Sequence, residues 1–179
     1  MTQHIALLRG INIGPNRRIA MAELRDQLPN AGYGEVRTYL QSGNVLLLSD
    51  SAPEALAREL EAHIASRFAL DVPVVVRTRD ELADIVARDP LGALATDLKR
   101  YQVSFLSSEP EAGVVERIKA AAGPGESVVV SEREIYAWHP AGINRSPLAM
   151  ALADRKLGVV ATARNWNTVT SLLELASVG

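Results

Sequence analysis

The chain has no cysteine. That excludes a disulfide framework, a thiol nucleophile and a cysteine-ligated metal, and it points to a reducing compartment. Aromatic residues are scarce, at 4% of the total, whereas a sheet built for stacking RNA bases displays them. Neither sign of charge dominates. The net charge of −2 argues against bulk attraction to nucleic acid or an anionic membrane, so any anion site has to be a local cluster. Long hydrophobic runs are also missing. The longest are strand-sized, which predicts no membrane-spanning helix. The first residues, MTQHIALLRG, lack the basic leader and apolar stretch of a signal peptide, so a cytoplasmic protein is expected. The three histidines are scattered, with no partner at metal-ligand spacing, and no metal is expected. No P-loop, dinucleotide-binding glycine pattern or nucleophile elbow occurs. No cofactor is therefore expected, and the residues do not decide whether the protein is an enzyme.

What is present is a regular alternation of elements. In a chain of 179 residues, Ile5 to Leu8 reads as a buried strand. A turn-rich loop, Gly10 to Arg18, follows it. Met21, Leu24, Leu28 and Ala31 recur at helical spacing before Gly32, a usual helix stop. Val36 to Leu40 and Val45 to Leu48 read as strands joined by QSGN, and a helix opens at Ser51 and Pro53. Val74 to Arg77 completes a β-α-β-β-α-β set. A short helix from Asp80 and a looser stretch to Arg100 come next. The same order then repeats: a strand from Gln102 to Leu106, a helix from Pro110, and a hairpin of Val128 to Val130 with Ile135 to Trp138. A helix running from Ser146 to Gly158, a strand from Val159 to Thr162 and a last helix carrying Val169, Leu172, Leu173 and Ala176 complete it. The predicted fold class is α+β, with two ferredoxin-like units plus a C-terminal helix. The expected boundaries are 1–79, a linker over 80–100, and 101–179. VLLLS, VPVVV and SVVVS are apolar at consecutive positions, so both faces of these strands require burial, either sheet on sheet or against a partner. Sheet on sheet is favoured because one chain holds both units.

With spatial strand order 4-1-3-2, the loop after the first strand shares an edge with the first hairpin. That edge carries Arg9, Asn12, Asn16, Arg17, Arg18, Gln41, Ser42 and Asn44. In the second half, the loops after the third and fourth strands share an edge carrying Asn144, Arg145, Ser146, Arg164, Asn165 and Asn167. Arginine and asparagine offer many donors beside helix N-termini, which favours a phosphate or carboxylate. The candidate ligand-binding residues are Arg9, Asn12, Arg17, Gln41, Ser42, Asn44, Arg145, Ser146, Arg164, Asn165 and Asn167; no catalytic residue is assigned. Structural explanations compete with each of them. Asn165, Asn167 and Thr168 sit where helix caps belong, Ser146 precedes Pro147 at a helix start, and Ser-Gly-Asn is hairpin chemistry. Trp166 fits a packing role, and so does His139 at a strand end. The arginines resist this explanation best. Arg164, expected in a loop after a strand, is the residue whose loss should cost little stability yet abolish anion binding.

Four ordered motifs, ALLRGINIG, VRTYLQSGNVL, EIYAWHPAGINRS and TARNWNTVTSLLELA, resemble a widespread bacterial family of uncharacterised proteins, a domain of unknown function. Its pattern is roughly LLRGINVGG, TYIQSGN and TRNWNT. The resemblance implies a cytosolic α+β protein of two ferredoxin-like halves and no established activity. The chain departs from the family pattern at Pro15, where a second glycine is usual. It departs again at Asn144-Arg145-Ser146-Pro147, where Gly-Arg-Ser-Lys is common and a lysine that could meet an anion is therefore lost.

Three functions compete. The leading expectation is a small phosphorylated or nucleotide-like ligand held by the Arg/Asn loops. The alternative is a non-enzymatic interaction or regulatory protein that presents apolar surface to a protein partner. RNA binding ranks lowest, since the central strands carry leucine and valine. The sequence leaves the ligand and the oligomeric state open.

Overall fold

A computed structural model describes residues 1–153 and 155–178. The strands and helices are β1 (Thr2–Leu8), α1 (Met21–Gln27), β2 (Gly34–Tyr39), β3 (Asn44–Ser49), α2 (Pro53–Phe68), β4 (Val74–Thr78) and α3 (Arg79–Arg88). They continue with β5 (Tyr101–Leu106), α4 (Ala112–Ala120), β6 (Ser127–Ser131), β7 (Glu134–Trp138), α5 (Pro147–Ala153), β8 (Ala161–Asn165) and α6 (Trp166–Ser177). Two four-stranded antiparallel sheets result, ordered β2-β3-β1-β4 and β6-β7-β5-β8. This is the expected α+β arrangement of two repeated β-α-β-β-α-β units followed by a helix. The chain divides into two compact units. One comprises Met1–Ala83 with the last residues from Leu172, and the other is Asp84–Ser171.

In the first unit, strand alternation sends Ala6, Leu8, Val45, Leu47, Val74 and Val76 to one sheet face. There they form a core with Leu24, Leu28, Leu56, Leu60 and Ile64 of the helical side. Ile5, Leu7, Leu46 and Val75, on the opposite face, are equally buried within the single chain. Consecutive apolar residues in these strands therefore have the two-sided burial that their pattern requires. The stretch from Met21 is not one helix. Pro29 cannot continue the α-helical hydrogen bonds, so α1 stops at Gln27 and a 3₁₀ turn, Leu28–Ala31, carries the chain to Gly32. Thr78 and Glu81 cap α3 reciprocally: the Glu81 carboxylate accepts from the Thr78 amide at 2.7 Å, and Thr78 Oγ1 accepts from the Glu81 amide at 3.1 Å.

In the second unit, Leu106, Ile135 and Ala137 pack with Val114, Ile118, Leu148 and Leu157. Two expectations shift here. The helix predicted from Ser146 to Gly158 is α5, ending at Ala153, and its continuation through Asp154 lies outside the described residues. The last strand spans Ala161–Asn165, not Val159 to Thr162, and passes directly into α6 with no intervening loop. That shift decides where Arg164 points.

Candidate functional site

The edge of the first unit is built by two segments. The loop between β1 and α1 is closed by the Asn12 side chain, which accepts from the Ile19 amide at 3.0 Å and donates to the Ile19 carbonyl at 3.1 Å. The same side-chain nitrogen donates to the Gln41 carbonyl at 2.6 Å, joining the loop to the β2–β3 turn. Asn12 adopts φ 55°, in the left-handed region that asparagine tolerates. Both hydrogens of its amide nitrogen are now committed to carbonyls, so it has no donor left for a ligand. Arg17 is also committed. Its Nε donates to the Gly10 carbonyl at 2.9 Å and its Nη2 to the Asp71 carbonyl at 2.7 Å.

The hairpin packs tightly against this loop. Gly43 lies at φ +88°, and a Cβ placed there would sit 2.7 Å from Leu8 Cβ and 2.8 Å from Ile11 Cδ1. Its carbonyl accepts from the Leu8 amide at 2.8 Å. Asn44 is fully buried and donates to the Tyr39 carbonyl at 2.8 Å and to Ser42 Oγ at 3.2 Å, so it closes the turn. Ser42 is exposed in that turn.

Between the two segments lies an open groove of about 430 Å³, lined by Asn12, Gly14, Arg18, Ile19, Ala20 and Gln41. Arg18 is exposed and forms no ion pair with a described residue. Arg9 is half-buried, is tied through its backbone amide to the Pro73 carbonyl at 2.9 Å, and does not line the groove. Of the residues expected on this edge, the structure brings Asn12, Arg18 and Gln41 to the groove, gives Arg17 and Asn44 to the frame, and leaves Arg9 outside the lining.

The second unit distributes its candidates differently. Arg164 lies within β8, opposite Val103 of β5, and is 8% exposed. Its Nη1 donates to Thr162 Oγ1 and to the Ala163 carbonyl, both at 2.8 Å. Burial lowers its pKa to about 10, which still leaves it charged at neutral pH. Arg145 is exposed at the end of a 3₁₀ turn, Ile143–Arg145. One arginine is buried and the other faces solvent. Asn165 Oδ1 accepts from the Thr168 amide at 2.9 Å and caps α6, while Asn167 is exposed in the first helical turn. Trp166 stacks on Tyr101 with ring centroids 4.6 Å apart and 14° between planes, so its role is packing.

Ser146 belongs to a buried polar cluster that the sequence did not disclose. Its Oγ lies 2.8 Å from His139 Nδ1 and accepts from the Ala149 amide at 2.8 Å, capping α5. The Glu126 carboxylate lies 3.5 Å from the same His139 nitrogen and accepts from the Gly123 and Leu148 amides at 2.8 and 3.2 Å. Burial alone would push the Glu126 pKa up, but bonds from Ser146, Gly123, Leu148 and His139 outweigh it and hold the carboxyl below its usual value. Burial pushes the His139 pKa down despite Glu126. Serine and glutamate converge on one ring nitrogen, and the other is buried without a hydrogen bond. A serine hydrolase needs them on opposite nitrogens, so this cluster holds a loop and a helix start together. No short-range spacing linked Glu126, His139 and Ser146.

The comparisons with known proteins agree with this fold. Residues 1–136 match the model of a family described as "Protein of unknown function (DUF1697)". The chain belongs to that family. The match covers both motifs at the groove, ALLRGINIG and VRTYLQSGNVL. A solved structure, that of the conserved bacterial protein SP0830 from Streptococcus pneumoniae, is similar with a TM-score of 0.80 at 21% identity, covering 98% of this chain and 99% of that one. At that identity the likeness shows the fold alone. No curated protein matches the chain. Family membership thus supplies an architecture and no activity. Among the described residues, no helix is long and apolar enough to cross a membrane, and no group of three or more acidic or histidine side chains is placed to hold a metal.

Proposed function

We propose that the groove of the first unit binds a small anionic ligand bearing a phosphate or carboxylate, phosphorylated or nucleotide-like compounds being the first class to test. One observation carries this reading. Arg18 is the lining residue with positive charge, and it is exposed and without an ion pair among the described residues. The neighbouring Asn12 and Arg17 are spent on backbone carbonyls that fix the loop. A guanidinium held beside an open groove, on a loop that is already ordered, binds a phosphate or carboxylate with a small ordering cost. The buried Arg164 is assigned to the fold of the second unit and leaves the ligand set.

Thermal-shift and isothermal titration with nucleotides, sugar phosphates and simple carboxylates test the proposal. A hit should weaken by about tenfold or more in Arg18→Gln, since a hydrogen bond to a charged group contributes roughly 1.5–3 kcal/mol. No binding by any anion, or a hit indifferent to Arg18→Gln, sinks it. The alternative of a protein-binding surface has less support. Met150 is the one large apolar side chain exposed on an α-helix of the described residues, so no helix offers an apolar strip to a partner.

A further inference from the structure

The Arg18 side chain makes no hydrogen bond or ion pair with a described residue, so its place beside the groove depends on how its backbone is held. Asn12 supplies anchors on both sides of it. The Asn12 amide donates to the carbonyl of Arg17, the residue before Arg18, at 2.7 Å. The Asn12 side chain takes Ile19, the residue after it, at both backbone groups, 3.0 Å from the amide and 3.1 Å from the carbonyl. A third side-chain bond, 2.6 Å to the Gln41 carbonyl, ties this loop to the hairpin that forms the other wall of the groove. Gln41 is exposed, so water could serve its carbonyl. The bond from Asn12 instead sets the separation of the two walls.

The residue type matters. Position 12 needs one acceptor and two donors on a single short side chain, on a backbone at φ 55°. Asparagine meets all of these requirements, since its amide both accepts and donates and it tolerates the left-handed region. An ionised aspartate has no donor, and glycine takes the backbone angle but offers no side chain. Resting on the anion-binding reading, we infer that Asn12 is the positioning residue of this site. Its donors are spent, so it acts through Arg18, holding that loop in place before an anion arrives. A loop already ordered adds no ordering cost to binding, whereas a loose one does.

The test uses the full-length chain, labelled with nitrogen-15, with inorganic phosphate as the probe. In the free wild-type protein the Arg18 amide should relax like the backbone of β1 and β3. Phosphate should shift the groove amides and leave that order unchanged. Asn12→Gly keeps the backbone angle and removes the three side-chain bonds. It should raise the mobility of residues 13–18, leave β1 and β3 as they were, and weaken phosphate by about three- to tenfold, the equivalent of ordering one side chain on binding. A merely structural Asn12 would lower the melting temperature and leave the phosphate affinity at the wild-type value. An Arg18 amide that is mobile in the free wild-type protein, or ordered only by phosphate, overturns the inference; that comparison needs no variant, so it decides the matter even where Asn12→Gly does not fold. A glycine variant that keeps its affinity, or loses it with Arg18 still rigid, also overturns it, and the anion site then stands. If neither phosphate nor the nucleotides and carboxylates above shift a groove amide in the wild-type protein, the anion site itself is wrong and this inference falls with it.

Discussion

Gly43→Ala should destabilise the protein far more than Gly10→Ala, although both glycines have positive φ. Gly43 lies at +88° and Gly10 at +64°. An alanine pays for a left-handed backbone at either position, about 1–2 kcal/mol, partly offset by about 0.4–1 kcal/mol from a less flexible unfolded chain. That sum is nearly common to the two variants. The difference lies in the space. A Cβ at Gly10 meets nothing within 4 Å, whereas at Gly43 it falls 2.7 Å from Leu8 Cβ and 2.8 and 3.0 Å from two Ile11 carbons. Leu8 Cβ hangs on the backbone of β1, whose Leu8 amide bonds the Gly43 carbonyl, so it has little room to move. Overpacking of this kind costs about 1–3 kcal/mol. Gly10→Ala should therefore cost about 1 kcal/mol or less and Gly43→Ala about 2–4 kcal/mol, which lowers the melting temperature by about 4–16 °C at the usual scaling. Urea denaturation followed by far-UV circular dichroism measures the pair. Trp fluorescence is unsuitable, because both tryptophans, Trp138 and Trp166, lie in the second unit. If the two variants differ by less than about 0.5 kcal/mol, the close packing of hairpin on loop is not what fixes this edge.

Two further predictions concern the second unit and the histidines. Arg164→Ala should cost about 2–3 kcal/mol, from lost packing and from loss of the hydrogen bonds to Thr162 Oγ1 and the Ala163 carbonyl. Arg164→Met should recover part of it, because an apolar side chain of similar length refills the space that alanine leaves empty; a cost under about 0.5 kcal/mol for the alanine variant returns Arg164 to the ligand candidates. His4 and His139 are both buried with lowered pKa values, burial being the main cause. The unfolded chain then binds protons more readily than the folded one below about pH 6.5. Stability should be flat above that value and fall as the pH drops beneath it. The double variant His4→Phe/His139→Asn should flatten this slope in pH-dependent denaturation, and an unchanged slope would assign the acid sensitivity to other groups.

Element order and sheet order were legible in the sequence because hydrophobic periodicity records which faces are buried, and the β-α-β-β-α-β pattern has few chain-compatible arrangements. The shared edge of the first loop and the first hairpin followed from that order alone. Individual polar residues were not legible. Asn12 and Arg17 looked like ligand donors, yet their partners are the carbonyls of Ile19, Gln41, Gly10 and Asp71. Backbone carbonyls are invisible in a sequence. The same holds for Ser146, whose partners Glu126 and His139 come from other elements.

Arg164 shows the limit most clearly. Arginine is seldom buried, so ARNWNT read as a loop following Val159 to Thr162. The strand instead runs from Ala161 to Asn165, and one residue of alternation decides which face a side chain takes. By itself the sequence determined the α+β class, the duplicated unit and the edge where polar loops meet, since those follow from local periodicity. Tertiary structure decided which donors are spent and which are free. That depends on where distant carbonyls and carboxylates come to lie, and on this chain it left Arg18 facing a groove and Arg164 in the interior.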